Sequence, residues 1–454
     1  MRKQTPVSHG RERERGQTIL LVAIGIVSLL AMAALAIDVV TLYAARSETQ
    51  RAADAAALVG AKAIADSGFT TLSSTDPHMV DGTAQTLALN MATSAIKAML
   101  NVNNSPLINQ VAGMQPGLVG TPTLFFPATA IPPNSNPHIT VTLETTNLPT
   151  FFARIWGNRT ARVTASATAE AYNPANVQNF TPIAPKGVKP WLVANADPIS
   201  GVPFINPVSG TVENNVIGEQ FYLHSDCKNP PLTPCSLADN PPGIPGSSNG
   251  GHPQVDYVAA LITPNTGSNV CPACAGATDY EQSIECADLT TSYQVLSCGG
   301  GATSAQWYNG VNPGGLGGTS DLGAECLINA AGTGNGQGQD TLSDPTLWPA
   351  SPIQPKAESG PQFGNWVTTS NSIVTIPIID TTNLIPTTGG AVQIDGYIQA
   401  FINEVHGGGN PKHQGDIQIT VLNIAGCSTT PNGANPVVGS GGSSPVPVRL
   451  ITPP

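Results

Sequence analysis

The chain has 454 residues, room for two or three domains, and only 10% of them are charged, while Gly (47) and Pro (41) are abundant. That composition argues against a charge-rich cytosolic enzyme, and the 40% apolar content argues against full disorder. The net charge of −11 argues against a nucleic-acid partner, since from residue 173 onward six basic residues face 19 acids.

The start is different. Arg2, Lys3, Arg11, Arg13 and Arg15 stand against Glu12 and Glu14. The run Ile19–Ile37 then carries no charge and no polar stripe over 19 residues. As a helix it would span roughly 28 Å, the thickness of a hydrocarbon core. The positive-inside rule puts residues 1–16 in the cytoplasm and Asp38 onward outside, in the periplasm or beyond the cell, with the lipid bilayer as a partner. Ala34-Leu35-Ala36 has the small-x-small form of a signal-peptidase site. The apolar run is longer than a usual signal core, however, and the pattern beyond it stays helical, so a retained anchor is expected.

Residues 39–66 are rich in alanine and free of proline. Glu48–Arg51, Arg51–Asp54 and Lys62–Asp66 are spaced to pair along a helix. Anchor and extension are expected to form one helix of about 45–50 residues, on the order of 70 Å, ended by Ser67-Gly68. Ala53, Ala57 and Ala61 form a narrow face that would let another helix approach closely. A homo-oligomer through this N-terminal helix is one expectation. Plain helix propensity explains the same alanines equally well.

Ala34-Leu-Ala-Ile-Asp-Val-Val-Thr-Leu-Tyr43 followed by Gln50-Arg-Ala-Ala-Asp-Ala-Ala-Ala-Leu58 resembles the N-terminal region of TadG-like proteins of the Tad (Flp) tight-adherence pilus system of bacteria. The resemblance covers about 50 residues and aligns Asp38, Gln50 and Asp54 with the family's motif positions. The simplest role for the two acids is to mark the membrane interface and solvate the helix. The resemblance implies a bacterial inner-membrane protein whose partners are other pilus-assembly membrane proteins. Pilins of this system carry Glu five residues after the processing-site Gly. Here Leu21 follows Gly16 at that position, which favours the TadG-like class and retention of the segment. The Asp-x-Ser-x-Ser triplet of family members with a von Willebrand A domain does not occur, so that metal site is not carried over.

Residues 80–102 are expected to form a second helix with Leu87, Met91, Ala95, Ala98 and Met99 near one face. His138–Thr145 and Thr160–Ala171 alternate as half-buried strands do. Between them, Phe151-Phe152-Ala-Arg-Ile155-Trp156 is expected to plug a core. Thr181–Pro190 reads as a linker. Beyond it, residues 228–253 and 310–345 read as loops. Ser372–Ile379, Val392–Phe401 and Asp416–Asn423 read as three strands of one antiparallel sheet, with Pro377 marking an edge.

All eight cysteines, Cys227, Cys235, Cys271, Cys274, Cys286, Cys298, Cys326 and Cys427, fall in this exported half and are expected to form disulfides of open pairing. A zinc site on Cys271, Cys274, Cys286 and Cys298, or a redox pair Cys271–Cys274, fits the spacing and compartment less well. Asp279, Glu281, Glu285 and Asp288 could be drawn as a glycoside-hydrolysis pair or a calcium site, but read better as a solvated acidic loop. His224, His252, His406 and His413 read as scattered loop residues. Gly246–Gly250 spells Gly-x-Ser-x-Gly without the strand and helix a nucleophile elbow needs. There is no P-loop and no dinucleotide fingerprint, so no cofactor and no catalytic constellation is expected.

The expected fold is α+β: a basic tail (1–16), a transmembrane helix (17–38), a pilin-like helix-plus-sheet region (39–175), a linker (176–190), a loop-rich, Cys-containing β domain with disulfides (191–428) and a flexible tail (429–454). The expected function is a non-enzymatic envelope component of a Tad-type pilus or secretion apparatus, acting by tethering and helix packing. An anchored exported hydrolase, a carbohydrate-binding protein or a surface adhesin engaged in cell adhesion is the alternative.

Overall fold

In the computed structural model, helix α1 runs unbroken from Arg11 to Asp66. The structure describes residues 11–101, 117–125, 136–157, 160–177, 179–225, 253–260, 271, 278–286, 298, 305–307, 313–328, 338–380, 390–406, 416–428, 430–431, 437–438 and 444–451. The 56 residues of α1 extend about 84 Å, longer than expected because the helix already begins among the basic residues. Ile19, Leu29, Met32 and their neighbours up to Ile37 are mostly exposed on it. This is the N-terminal apolar helix long enough to cross a membrane.

Beyond the apolar run α1 becomes a core element. It packs against helix α2 (Thr83–Asn101) and against the antiparallel hairpin of strands β1 (His138–Pro149) and β2 (Thr160–Ala171). Small residues on both sides make this close approach possible. Ala52, Ala53, Ala56, Ala57 and Ala61 of α1 are fully buried with Ala88 and Ala92 of α2 and with Ile139, Val141 and Ala169 of the hairpin. Gly60 sits where a Cβ would come within 2.9 Å of Ile96 and 3.1 Å of Ile139. The small-residue face is thus filled by this chain's own α2 and sheet. Of the expected α2 face, Leu87 is buried and Met91, Ala95 and Met99 pack partly buried against the core, while Ala98 is exposed; Ala88, Ala92 and Ile96 complete the buried stripe. The alanines at the centre of this stripe let α1 and α2 approach closely.

The Phe151–Trp156 stretch does connect β1 to β2, through a 3-10 turn over Ala153–Trp156, and its first aromatic, Phe151, lies outside the core. Phe151 is 58% exposed. The turn lies at the far tip of the hairpin, beyond the sheet's buried face.

A closed barrel of six strands forms the second body: β3 (Trp191–Ala194), β4 (Gln220–Ser225), β5 (Gln254–Ala259), β6 (Ile373–Ile379), β7 (Ile394–His406) and β8 (Asp416–Ala425), in the order β6-β7-β8-β4-β5-β3. The three late strands do pair antiparallel, β6 with β7 and β7 with β8. Pro377 is not on an edge, because β3 closes the barrel against β6 in parallel. Thr375 and Ile379 accept from the β3 side, from the N–H groups of Lys189 and Asn195. Pro377, two residues from each, faces that side too. Its missing donor falls in the gap between the Val188–Thr375 bridge and the pairing at Ile378–Ile379.

Part of the expected loop 310–345 is helix α4 (Pro313–Ile328), packed on the short helix α3 (Asp279–Glu285). Burial of Ala324, Leu327 and Ile328 outweighs the poor helix propensity of its glycines, and Gly323 leaves room for Ile284 at 3.1 Å from a would-be Cβ. Among the described cysteines, Cys271 is bonded to Cys286 and Cys298 to Cys427, and Cys326 is also disulfide-bonded. These pairs leave neither a zinc set on Cys271, Cys286 and Cys298 nor a Cys271–Cys274 redox pair. Cys227, Cys235 and Cys274 lie outside the described residues.

The expected linker and tail are instead structural. Ile183–Ala184 pairs with Val437–Val438, and Asn179–Phe180 pairs with Thr430–Pro431. Strand β9 (Val448–Ile451) then returns to pair with β2. Arg449 reaches Glu170 of β2 and lies 4.5 Å from the centroid of the Tyr172 ring. The chain's last described strand therefore completes its first sheet, which is why a boundary drawn at residue 429 does not describe a free tail.

Candidate functional site

The structure organises the end of the apolar run of α1 more closely than any other predicted position. Asp38, the residue after the apolar run, is 5% exposed. Its carboxylate accepts hydrogen bonds from three consecutive backbone N–H groups: Phe151 at 2.6 Å, Phe152 at 2.8 Å and Ala153 at 3.0 Å. These are the unpaired donors at the start of the 3-10 turn, so Asp38 caps that turn from another element. Asp38 therefore does more than mark an interface: it pins the hairpin tip to the helix.

The other motif positions continue the same seam. Gln50 donates to the carbonyl of Ser166 on β2 at 3.1 Å and to Asp54 at 2.8 Å. Thr49 and Thr145 share a hydroxyl hydrogen bond of 2.8 Å. Gly60 meets Ile139, Thr49 meets Thr145 and Asp38 meets Phe151. Each step spans about 17 Å of helix and about 20 Å of strand, so β1 descends antiparallel alongside α1 until its tip reaches the end of the apolar run.

At its other end α1 is locked onto the barrel. Asn423 of β8 donates to the carbonyl of Ala65 at 2.6 Å, and its side-chain oxygen accepts from Thr70 at 3.2 Å and from Thr71. The Ile424 N–H donates to Thr71 at 2.8 Å, and the Trp348 indole donates to the carbonyl of Ser67 at 3.0 Å. Gly68 adopts φ +79° with its backbone pressed against Leu422. A Cβ there would be strained, so the helix terminates on a residue suited to that contact.

The remaining candidates separate. Thr278 caps α3 by accepting from the Glu281 N–H, and Asp279 and Glu281 occupy the first helical turn, where acids complement the helix dipole. Asp288, His252, His413 and Gly246–Gly250 lie outside the described residues. His224 and His406 are on barrel strands, not loops, and buried His224 pairs through Nδ1 with Asp416. Sequence reading also missed the half-buried Glu213 and Glu219 and the buried Asp395. Burial, reinforced by the Asp197 carboxylate, pushes Glu213 up to about 7 and Glu219 to about 8. Burial and the neighbouring Asp380 charge push Asp395 to about 7. Among the described residues, no group of three or more His, Cys, Asp or Glu side chains could hold a metal ion.

The seam built on Asp38, Gln50 and Asp54 coincides with a family signature. The Tad family model, Flp pilus-assembly TadE/G-like, matches residues 16–63. The N-terminal region is TadE/G-like. No curated protein and no solved structure matches the chain. The TadE/G-like region thus comprises the apolar half of α1 and the alanine-rich half that seats the hairpin. The match supports a Tad pilus-associated role, and it leaves the barrel without a counterpart.

Proposed function

We propose that this chain is a membrane-anchored, non-enzymatic envelope component of a Tad/Flp-type pilus assembly or secretion apparatus. Ile19–Ile37 holds it in the bacterial inner membrane, with the basic residues before it on the cytoplasmic side and the folded body outside. The observation that carries this reading is the continuity of α1. One helix begins as the TadE/G-like apolar segment and ends hydrogen-bonded to the barrel at Asn423. The exported body therefore has no hinge at the membrane, and force or position imposed on the span passes directly into it.

That geometry supports a tethering role, with partners among the other pilus-assembly membrane proteins. Because Ala53, Ala57 and Ala61 are buried within the chain, helix-to-helix contact with a partner or a second copy falls to the exposed stretch Ile19–Val40. The disulfides Cys271–Cys286 and Cys298–Cys427 suit an oxidising compartment. Deletion of the gene tests the reading. Loss of surface pili, restored by the full chain, is the expected result. Intact piliation, with no secretion ATPase or small pilin encoded nearby, would overturn it.

A further inference from the structure

We propose that the turn at Phe151–Arg154 is a second membrane contact, seated in the interfacial zone of the bilayer beside the span. The inference rests on the anchored reading above and adds a contact that the span alone does not provide. Three independent features place the turn there.

Height comes first. The register of β1 along α1 brings the hairpin tip down to Asp38, one residue beyond Ile37, and three hydrogen bonds hold it at that level. The tip cannot rise away from the membrane while those bonds persist.

The second feature is the surface at that height. The exposed apolar surface of α1 does not stop at Asp38: Val39, Val40 and Tyr43 are 57%, 67% and 77% exposed. Tyr43 lies about 7.5 Å further along the helix than Asp38. The apolar belt and the hairpin tip therefore overlap in height. On the tip, Phe151 is 58% exposed and Phe152 half-buried. Aromatic side chains are favoured at the headgroup level, where tyrosine presents a wet hydroxyl and phenylalanine an apolar face.

The third is charge. Arg154 on the tip is exposed, while Asp38, the acid at that level of α1, is turned inward and engaged by the backbone donors. The surface offered to the bilayer is thus aromatic and cationic, which complements anionic headgroups. Capping also solves a local problem. A carboxylate at the hydrocarbon boundary would otherwise lack partners, and here the turn supplies them. A single span leaves a protein free to tilt and rotate on its axis. A second contact at the tip would fix which face of the ectodomain meets the membrane.

The test uses the full-length chain in vesicles of phosphatidylethanolamine and phosphatidylglycerol, with the photo-crosslinker p-benzoylphenylalanine at Phe151. Phe363, 66% exposed on the barrel side, is the reference position. Flotation is scored first. The expected result is that the chain floats with the vesicles, that position 151 yields a lipid adduct at least several-fold above position 363, and that Asp38→Ala lowers the adduct at 151. Flotation with equal adducts at 151 and 363 would overturn the second contact while leaving the anchor intact. Adducts at 151 to another protein or a second copy, with lipid adducts no higher than at 363, would overturn it in favour of a protein partner. Failure to float would overturn the anchor itself and this inference with it.

Discussion

At the scale of single residues, Asp38 carries more structure than its position as a boundary marker suggested. A charged acceptor with several backbone donors is among the stronger hydrogen-bonding arrangements in a protein, each bond to a charged group contributing about 1.5–3 kcal/mol. Asp38→Ala should free the tip without unfolding the barrel. Hydrogen exchange of the amides of Phe151, Phe152 and Ala153 should accelerate by at least tenfold while that of β7 and β8 stays unchanged. Unchanged exchange at the tip would contradict the capping role. A second residue-scale prediction concerns acids that sequence reading passed over. Glu219 and Glu213 rise from 4.5 to about 8 and about 7, and Asp395 rises from 3.8 to about 7. The folded chain holds protons that the unfolded chain releases, so this stabilisation is complete below about pH 4 and is lost as pH rises through 7 to 8. The melting temperature should therefore be lower at pH 8.5 than at pH 5.5 by several degrees, and Glu219→Gln should reduce the difference. A melting temperature that rises over this interval would sink the assignment.

At the scale of elements, the long helix was legible because its signals are local. The uncharged run, the alanine-rich extension and the Ser67-Gly68 stop are all consecutive in sequence, and the structure adds only the earlier start at Arg11. The two alternating strands were legible for the same reason. What the alanine face does was not legible, because Ala53, Ala57 and Ala61 fit a partner helix and an internal one equally well. The structure resolves this in favour of α2 and the hairpin. Ala57→Leu should therefore destabilise the ectodomain itself, by about 1–3 kcal/mol through overpacking, read as a lower midpoint of denaturant unfolding. A stable variant impaired solely in assembly would show instead that the face serves a partner. At the Phe151–Trp156 turn, aromatic content was taken as a sign of burial, which exposed Phe151 does not bear out. Its true constraint, a carboxylate 113 residues earlier, has no local signature.

At the scale of the molecule, chain order misled most. The late strand-like runs identified β6, β7 and β8, but barrel closure depends on the parallel pairing of β6 with β3, about 185 residues earlier, and of β4 with β5. Likewise, a Pro/Gly/Ser-rich end signalled mobility, whereas β9 pairs with β2 across more than half the chain. The linkage between the anchor helix and the barrel converges on Asn423. Asn423→Ala should remove the buried hydrogen bonds to Ala65, Thr70 and Thr71, lower stability by about 2–4 kcal/mol and uncouple the end of α1 from β8. Separate thermal transitions for the two bodies would be its signature, and one unshifted transition would contradict it.

Rigid continuity from membrane to barrel is the central claim, and surface pilus yield in a deletion strain tests it most directly. Complementation with the unaltered chain should restore pili. Complementation with a chain carrying four glycines inserted between Asp38 and Val39 should leave the protein in the membrane fraction yet fail to restore them. Full piliation from the interrupted chain, at equal abundance, would show that the anchor and the folded body need no rigid connection.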